Sequence, residues 1–248
     1  FIMANDIKYF IGNWKMFGVP KSINILNKIN NFVRLDKKNS KKYKVIITPP
    51  FTILEAFSRY FKNKKIIIGA QNCYHKDYFG SYTGAISPYM IKLSGAKYVV
   101  IGHSDNRADG DTDEILREKI SLALNNNLKI IFCIGENKSE KIKKKTFVVL
   151  KKQLQAVLTK KSNLNNTIIA YEPIWSIGTG KIPSSNDLKK TISFIKKIVK
   201  KIKVLYGGSV DGKSVLNYKS INDLDGFLIG GASKTSKKFI DIIKNYYR

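Results

Sequence analysis

The chain has little of what metal centres and disulfide scaffolds are built from. Its 248 residues include two cysteines and two histidines, and 18 acidic residues stand against 45 basic ones. Cys73 and Cys133 lie far apart with no CxxC partner. That excludes a disulfide framework and a zinc ribbon, and it fits a reducing cytoplasm. His75 and His103 are too few for a His-rich metal site, so no metal is expected. No apolar run approaches about 18 residues, so a membrane-spanning helix is excluded and no membrane partner is expected. The opening Phe1-Ile2-Met3-Ala4-Asn5-Asp6 has no basic stretch ahead of an apolar core, so a secretory signal is not expected. Phe1 and Ile2 read as an upstream extension, with Met3 as the natural start.

What is abundant is lysine. The formal net charge is +27, and only five of the basic residues are arginine. Readers of nucleic acid and phosphate favour the bidentate guanidinium, so a lysine excess is read as a solvated basic surface with no nucleic-acid partner. The same charge attracts an anionic substrate.

Eight short β-branched and aromatic runs recur along the chain: Tyr9–Trp14, Lys44–Thr48, Ile66–Ala70, Tyr98–Gly102, Ile130–Ile134, Ile168–Glu172, Val204–Gly207 and Phe227–Gly230. Most are apolar on both faces, as parallel strands covered by helices must be. Helical periodicity fills the segments between them. It is clear at Leu26, Ile29 and Val33, at Leu116, Ile120 and Ala123, at Leu188, Ile192, Ile195 and Val199, over Lys143–Leu158 and over Lys237–Tyr247. The charge run Lys138–Lys145 reads as a solvated helix start. Eight strands alternating with helices predict an α/β fold, a single (β/α)8 TIM barrel over residues 1–248. The competing open sheet would carry GxGxxG after its first strand. The only GxG is Gly178-Thr179-Gly180 after the sixth, so no dinucleotide cofactor is expected.

In such a barrel, chemistry lives on the loops after the strands. Those positions hold Asn13 and Lys15 after strand one, His103, Ser104 and Asp105 after strand four, and Glu172 ending strand six. Gly207-Gly208-Ser209 follows strand seven and Gly230-Gly231-Ala232 follows strand eight. Paired glycines on neighbouring loops let backbone N–H groups converge on an anion, so they predict a phosphate site. A carboxylate ending an apolar strand is costly unless used, and Glu172 beside His103 and Lys15 reads as an acid/base group. Cys133, on a strand, reads as a small buried apolar residue.

Six segments carry a family resemblance: Gly12-Asn13-Trp14-Lys15-Met16, Ile101-Gly102-His103-Ser104, Cys133-Ile134-Gly135-Glu136, Ala170-Tyr171-Glu172-Pro173-Ile174-Trp175-Ser176-Ile177-Gly178-Thr179-Gly180-Lys181, Tyr206-Gly207-Gly208-Ser209-Val210 and Gly230-Gly231-Ala232-Ser233. In this order and over the whole chain they resemble triosephosphate isomerase. The resemblance implies interconversion of dihydroxyacetone phosphate and glyceraldehyde 3-phosphate through an enediolate, without metal or organic cofactor, in a cytoplasmic homodimer of glycolysis and gluconeogenesis. It implies Glu172 as the base and His103 as the neutral electrophile, the Glu/His pairing of this family. Lys15 would hold substrate and developing charge, and Asn13 would orient the site. Gly178, Ser209, Gly230 and Gly231 would bind the phosphate, with Ser104, Asp105 and Cys133 in support. Pro173–Lys181 would be a closing lid, and Thr83 would reach into the neighbouring subunit near Asn13.

The chain departs from the family where His-Ser-Glu-Arg-Arg becomes His103-Ser104-Asp105-Asn106-Arg107. Asp105 is one methylene shorter in its reach for Lys15. Asn106 stands where an interface arginine is usual, and Ala85 stands where its glutamate partner is usual. Both members of that pair are absent together, which avoids a stranded interfacial charge and implies a remodelled dimer. The alternatives are a sugar-phosphate-binding barrel with poor turnover and a charge-driven polyanion binder, the latter marked by steep salt dependence.

Overall fold

The computed structural model describes residues 7–248, so the reading of Phe1, Ile2 and Met3 lies outside the described residues. Eight parallel strands close on themselves in sequence order: β1 (Lys8–Asn13), β2 (Tyr43–Thr48), β3 (Ile66–Ala70), β4 (Tyr98–Ile101), β5 (Lys129–Ile134), β6 (Thr167–Tyr171), β7 (Lys203–Tyr206) and β8 (Gly226–Ile229). The closing pair joins β1 to β8, with Phe10 opposite Phe227 and Gly12 opposite Ile229. Around the barrel lie α1 (Ile23–Leu35), α2 (Phe51–Phe61), α3 (Pro88–Leu93), α4 (Ser104–Ala108), α5 (Asp113–Asn125), α6 (Lys138–Ile142), α7 (Thr146–Val157), α8 (Ser185–Val199) and α9 (Ser236–Tyr247). The fold is the expected TIM barrel.

Side-chain alternation splits the core into two layers. Ile11, Ile46, Val100, Ile131, Cys133, Ile168, Ala170, Leu205 and Leu228 fill the barrel itself. The alternate residues, among them Phe10, Val45, Ile101, Phe132, Ile169 and Val204, face the helices. This alternation aims the catalytic candidates. On β6, Ile168 and Ala170 face the axis, so Glu172, next in the same phase, emerges at the top of the barrel interior. On β1, Ile11 faces inward and Asn13 follows it.

The helices bury the predicted stripes. Leu26, Ile29 and Val33 are buried on α1, and Leu188, Ile192, Ile195 and Val199 on α8. Ser184 caps α8 by accepting the Asp187 N–H at 3.1 Å, which satisfies one of the amides a helix start leaves unpaired.

Two local departures from the periodic reading have causes. The Lys138–Lys145 run does open a solvated helix, as expected, but that helix does not run on into α7. It forms the separate α6, begun by a reciprocal cap between Asn137 and Glu140 and ended where Lys144 takes a left-handed φ of 55°. Between β7 and β8 the described chain makes only a 3-10 turn, Ser214–Tyr218, where the alternation predicts a helix. Asp211 accepts the N–H groups of Lys213 and Ser214 at 2.8 and 2.7 Å and fixes that tighter turn. Val215 and Tyr218 plug it into the core.

Candidate active site

The C-terminal ends of the strands surround a cavity of about 1190 Å³. Asn13, Lys15, His103, Glu172, Gly178, Ser209, Gly230 and Gly231 all line it. Eight of the residues singled out from sequence therefore converge on one space. Ser104 and Asp105 stand beside it, opening α4. Cys133 lies beneath it inside the barrel, buried at 1% exposure.

Glu172 is 4% exposed. Its Oε1 lies 3.5 Å from His103 Nε2, and its Oε2 meets no hydrogen-bond donor among the described residues. Burial pushes the carboxyl above the usual glutamate range. Cys133 is more than the apolar filler read from sequence. It lies opposite Ala170 in the β5–β6 register, one inward position below Glu172, and its presence there helps the carboxyl hold its charge. Burial, with the Glu172 charge added, keeps that thiol protonated, well above the usual cysteine range. Gly207 makes room for Glu172: a Cβ there would stand 2.6 Å from Glu172 Cγ.

His103 is 4% exposed, and its Nδ1 accepts the backbone N–H of Asp105 at 3.1 Å. A nitrogen that accepts must keep its lone pair, so the ring is neutral in this arrangement and Nε2 carries the proton. That N–H points into the cavity beside Glu172. The Asp105 carboxylate also lies 3.5 Å from Nδ1, but the shorter, directed amide contact sets the tautomer.

Lys15 Nζ lies 3.1 Å from Asp105 Oδ2. The shortened acid therefore does reach the lysine. Lys15 adopts φ 53°, a left-handed backbone that costs a side-chain-bearing residue about 1–3 kcal/mol. Asn13 stabilises it, since its Oδ1 accepts the Lys15 N–H at 3.1 Å.

The segment Pro173–Lys181 spans the gap between β6 and α8. Its start is fastened to a fully buried carboxylate: Glu136 Oε1 accepts from Trp175 Nε1 at 2.9 Å and from the Tyr171 hydroxyl at 3.2 Å. Ser209 Oγ donates to the Ser176 carbonyl at 2.7 Å, which ties the segment to the β7 loop. Its tip, Gly178-Thr179-Gly180-Lys181, is exposed. The sequence reading gave no role to Glu136. Its signal was weak, because a strand-following glutamate shows its burial only once β5 and β6 are side by side.

Thr83 sits exposed at the end of the loop between β3 and α3. This loop is closed at its base by the Tyr74 N–H on the Ile86 carbonyl at 2.9 Å. Tyr78 and Phe79 on it are 62% and 75% exposed, and Met16 beside Lys15 is 98% exposed. Among the described residues, no group of three or more His, Cys, Asp or Glu is placed to hold a metal ion, and no helix is long and apolar enough to cross a membrane.

Known proteins match this chain along nearly its whole length. The family model for triosephosphate isomerase matches residues 8–246. Triosephosphate isomerase of Dictyoglomus thermophilum is 37% identical over 250 residues, covering 96% of this chain and 99% of the relative. That of Wolbachia pipientis is 39% identical over 235 residues, covering 94% and 92%, and that of Yarrowia lipolytica is 37% identical over 247, covering 96% and 98%. The crystal structure of triosephosphate isomerase from Bartonella henselae superposes with a TM-score of 0.88 at 33% identity, over 97% of this chain and 99% of that one. A barrel whose loops carry these residues in this order, matched end to end by isomerases of bacteria and a yeast, belongs to the triosephosphate isomerase family.

Proposed function

We propose that Glu172, His103 and Lys15 carry the interconversion of dihydroxyacetone phosphate and D-glyceraldehyde 3-phosphate, the glycolytic reaction of this family. The observation that carries the assignment is the facing pair, Glu172 Oε1 and His103 Nε2 at 3.5 Å, in a cavity that the paired glycines also line. Substrate phosphate binds at Gly230, Gly231, Ser209 and Gly178. The carbon skeleton then lies over the facing pair.

Glu172 removes a proton from the carbon next to the carbonyl. As that C–H bond breaks, the electron pair forms the carbon–carbon double bond of an enediolate. The former carbonyl oxygen takes up negative charge, and the His103 Nε2–H stabilises it. His103 Nε2 gives its proton to that oxygen and takes up the proton of the neighbouring hydroxyl, so that the second oxygen becomes the new carbonyl as Glu172 returns its proton to the neighbouring carbon; Glu172 thus acts first as base and then as acid. Its burial serves this role, because a carboxylate stripped of water is a stronger base. The Lys15 ammonium adds electrostatic stabilisation. An enediolate bearing a phosphate can expel it, so Pro173–Lys181 closes over the site and excludes water.

The chain works as a homodimer in the cytoplasm in this reading. Exposed Tyr78 and Phe79 on the Thr83 loop favour docking against a second copy, since adjoining exposed aromatics mark contact surfaces. Cys73 and Cys133, buried free thiols, favour a reducing compartment. The deciding experiment is a steady-state isomerase assay of the purified protein with Glu172→Asp as control. Retracting the carboxylate by about 1 Å should lower kcat by ~10²-fold with little change in KM. Near-normal turnover would remove Glu172 from the role of base.

A further inference from the structure

The left-handed backbone of Lys15 is held from outside its own loop. Its carbonyl accepts the Phe17 N–H at 2.9 Å and the Gln71 side-chain amide at 2.9 Å. The same Gln71 nitrogen donates its other proton to the Thr48 carbonyl at 2.8 Å. That carbonyl also receives the Trp14 N–H at 3.2 Å. One primary amide thus joins the loop after β1 to the end of β2. The chemistry suits glutamine in particular: a single nitrogen bears two N–H donors, a carboxylate has none, and asparagine is one methylene short.

Gln71 follows directly on β3, and it does not line the cavity. Its own place is fixed by its neighbour. Asn72 Oδ1 accepts from the Lys119 ammonium at 3.0 Å and from the Cys73 N–H at 2.8 Å. Lys119 is 4% exposed and is gripped by both Asp111 oxygens at 2.7 and 2.8 Å. A buried, doubly held cation therefore seats the turn from which the Gln71 amide reaches.

We propose that Gln71 is a positioning residue for Lys15, holding the lysine backbone in the left-handed conformation that sends its ammonium to the cavity and to Asp105. The proposal rests on the reading of Lys15 as a substrate-binding cation.

The test uses binding as well as turnover. Glycerol 3-phosphate, the substrate skeleton with a hydroxyl in place of the carbonyl, is titrated by calorimetry into wild type, Lys15→Ala, Gln71→Met and the double variant. Gln71→Met keeps the length and removes both donors. It should lower kcat/KM by ~10–100-fold, as displacement of a binding group by about 1 Å does. It should weaken glycerol 3-phosphate in the wild-type background, yet add less than about twofold to the loss already caused by Lys15→Ala, because residues acting as a unit are non-additive. Equal fold-losses in the two backgrounds, or an unchanged affinity in Gln71→Met, would overturn the proposal. If Lys15→Ala itself binds normally, the reading of Lys15 fails instead, which is a separate outcome. Should Gln71→Met not fold, Gln71→Asn, which keeps the amide but shortens it, replaces it in the same four-way comparison with the same criteria.

Discussion

Replacing Glu172 by glutamine should raise the stability of this protein while abolishing most of its activity. The carboxyl is 4% exposed, one oxygen meets no donor among the described residues, and burial raises its pKa. In the folded chain the group therefore keeps its proton at pH values where the unfolded chain, with a glutamate near about 4.3, has already lost it. Stability contributed by this group is complete below that unfolded value. It falls as pH rises through the raised folded value, and above it the full cost of the buried charge is present. A neutral amide of the same shape avoids that cost. Leaving a buried polar atom unsatisfied costs on the order of 1–3 kcal/mol, and for a chain of this size each kcal/mol moves the midpoint by about 2–4 °C. Glu172→Gln should thus melt about 2–12 °C above wild type at pH 8, with the gap closing toward pH 4. Calorimetric melts at fixed protein concentration at pH 4, 6 and 8 measure it. Loss of the general base should cut kcat by about 10²–10⁴-fold in the same sample. A variant that melts at or below wild type at pH 8, or whose advantage persists unchanged at pH 4, would refute the argument that burial strains this carboxylate.

Three further outcomes follow from the geometry. Asp105→Asn breaks the 3.1 Å contact to Lys15, but the two side chains are 61% and 33% exposed; a surface pair is worth at most about 1 kcal/mol, so kcat/KM should fall by about fivefold or less. A larger loss would mean that Asp105 also governs His103. At Gly231 a Cβ meets nothing within 4 Å, so Gly231→Val should leave the melting temperature unchanged and weaken competitive inhibition by inorganic phosphate; undiminished phosphate affinity would make the pair an ordinary turn. In the proposed homodimer, Ala85→Glu and Asn106→Arg should each weaken self-association in sedimentation by placing an unpaired charge at the contact, and the double variant should recover part of the loss with a coupling of about 0.5–3 kcal/mol. Strict additivity would show that the two positions do not face each other across subunits.

The sequence by itself determined the barrel, because each strand needed only its own residues to declare it. Ile168-Ile169-Ala170-Tyr171 is apolar on both faces since helices cover one side and the barrel core the other, and that is a local pattern. It also determined which loops meet, since parallel strands in order place every C-terminal end on one rim. Glu172, His103, Lys15 and the paired glycines were legible for that reason. The tertiary structure decided what the linear pattern could not encode. Lysine is not a turn-forming residue, so its type does not mark Lys15 as left-handed; beside the local contacts of Asn13 and Phe17, its carbonyl is held by Gln71, which only the closed barrel brings alongside. The Cys133 thiol finds Glu172 only because β5 and β6 lie in a register that stacks inward positions, whereas in sequence it is one more apolar-strand cysteine. Strand periodicity is short-range and repeats, so a reader can recover it from composition. The pairings that tune the site are single contacts between residues tens of positions apart, and their geometry exists only once the barrel has closed.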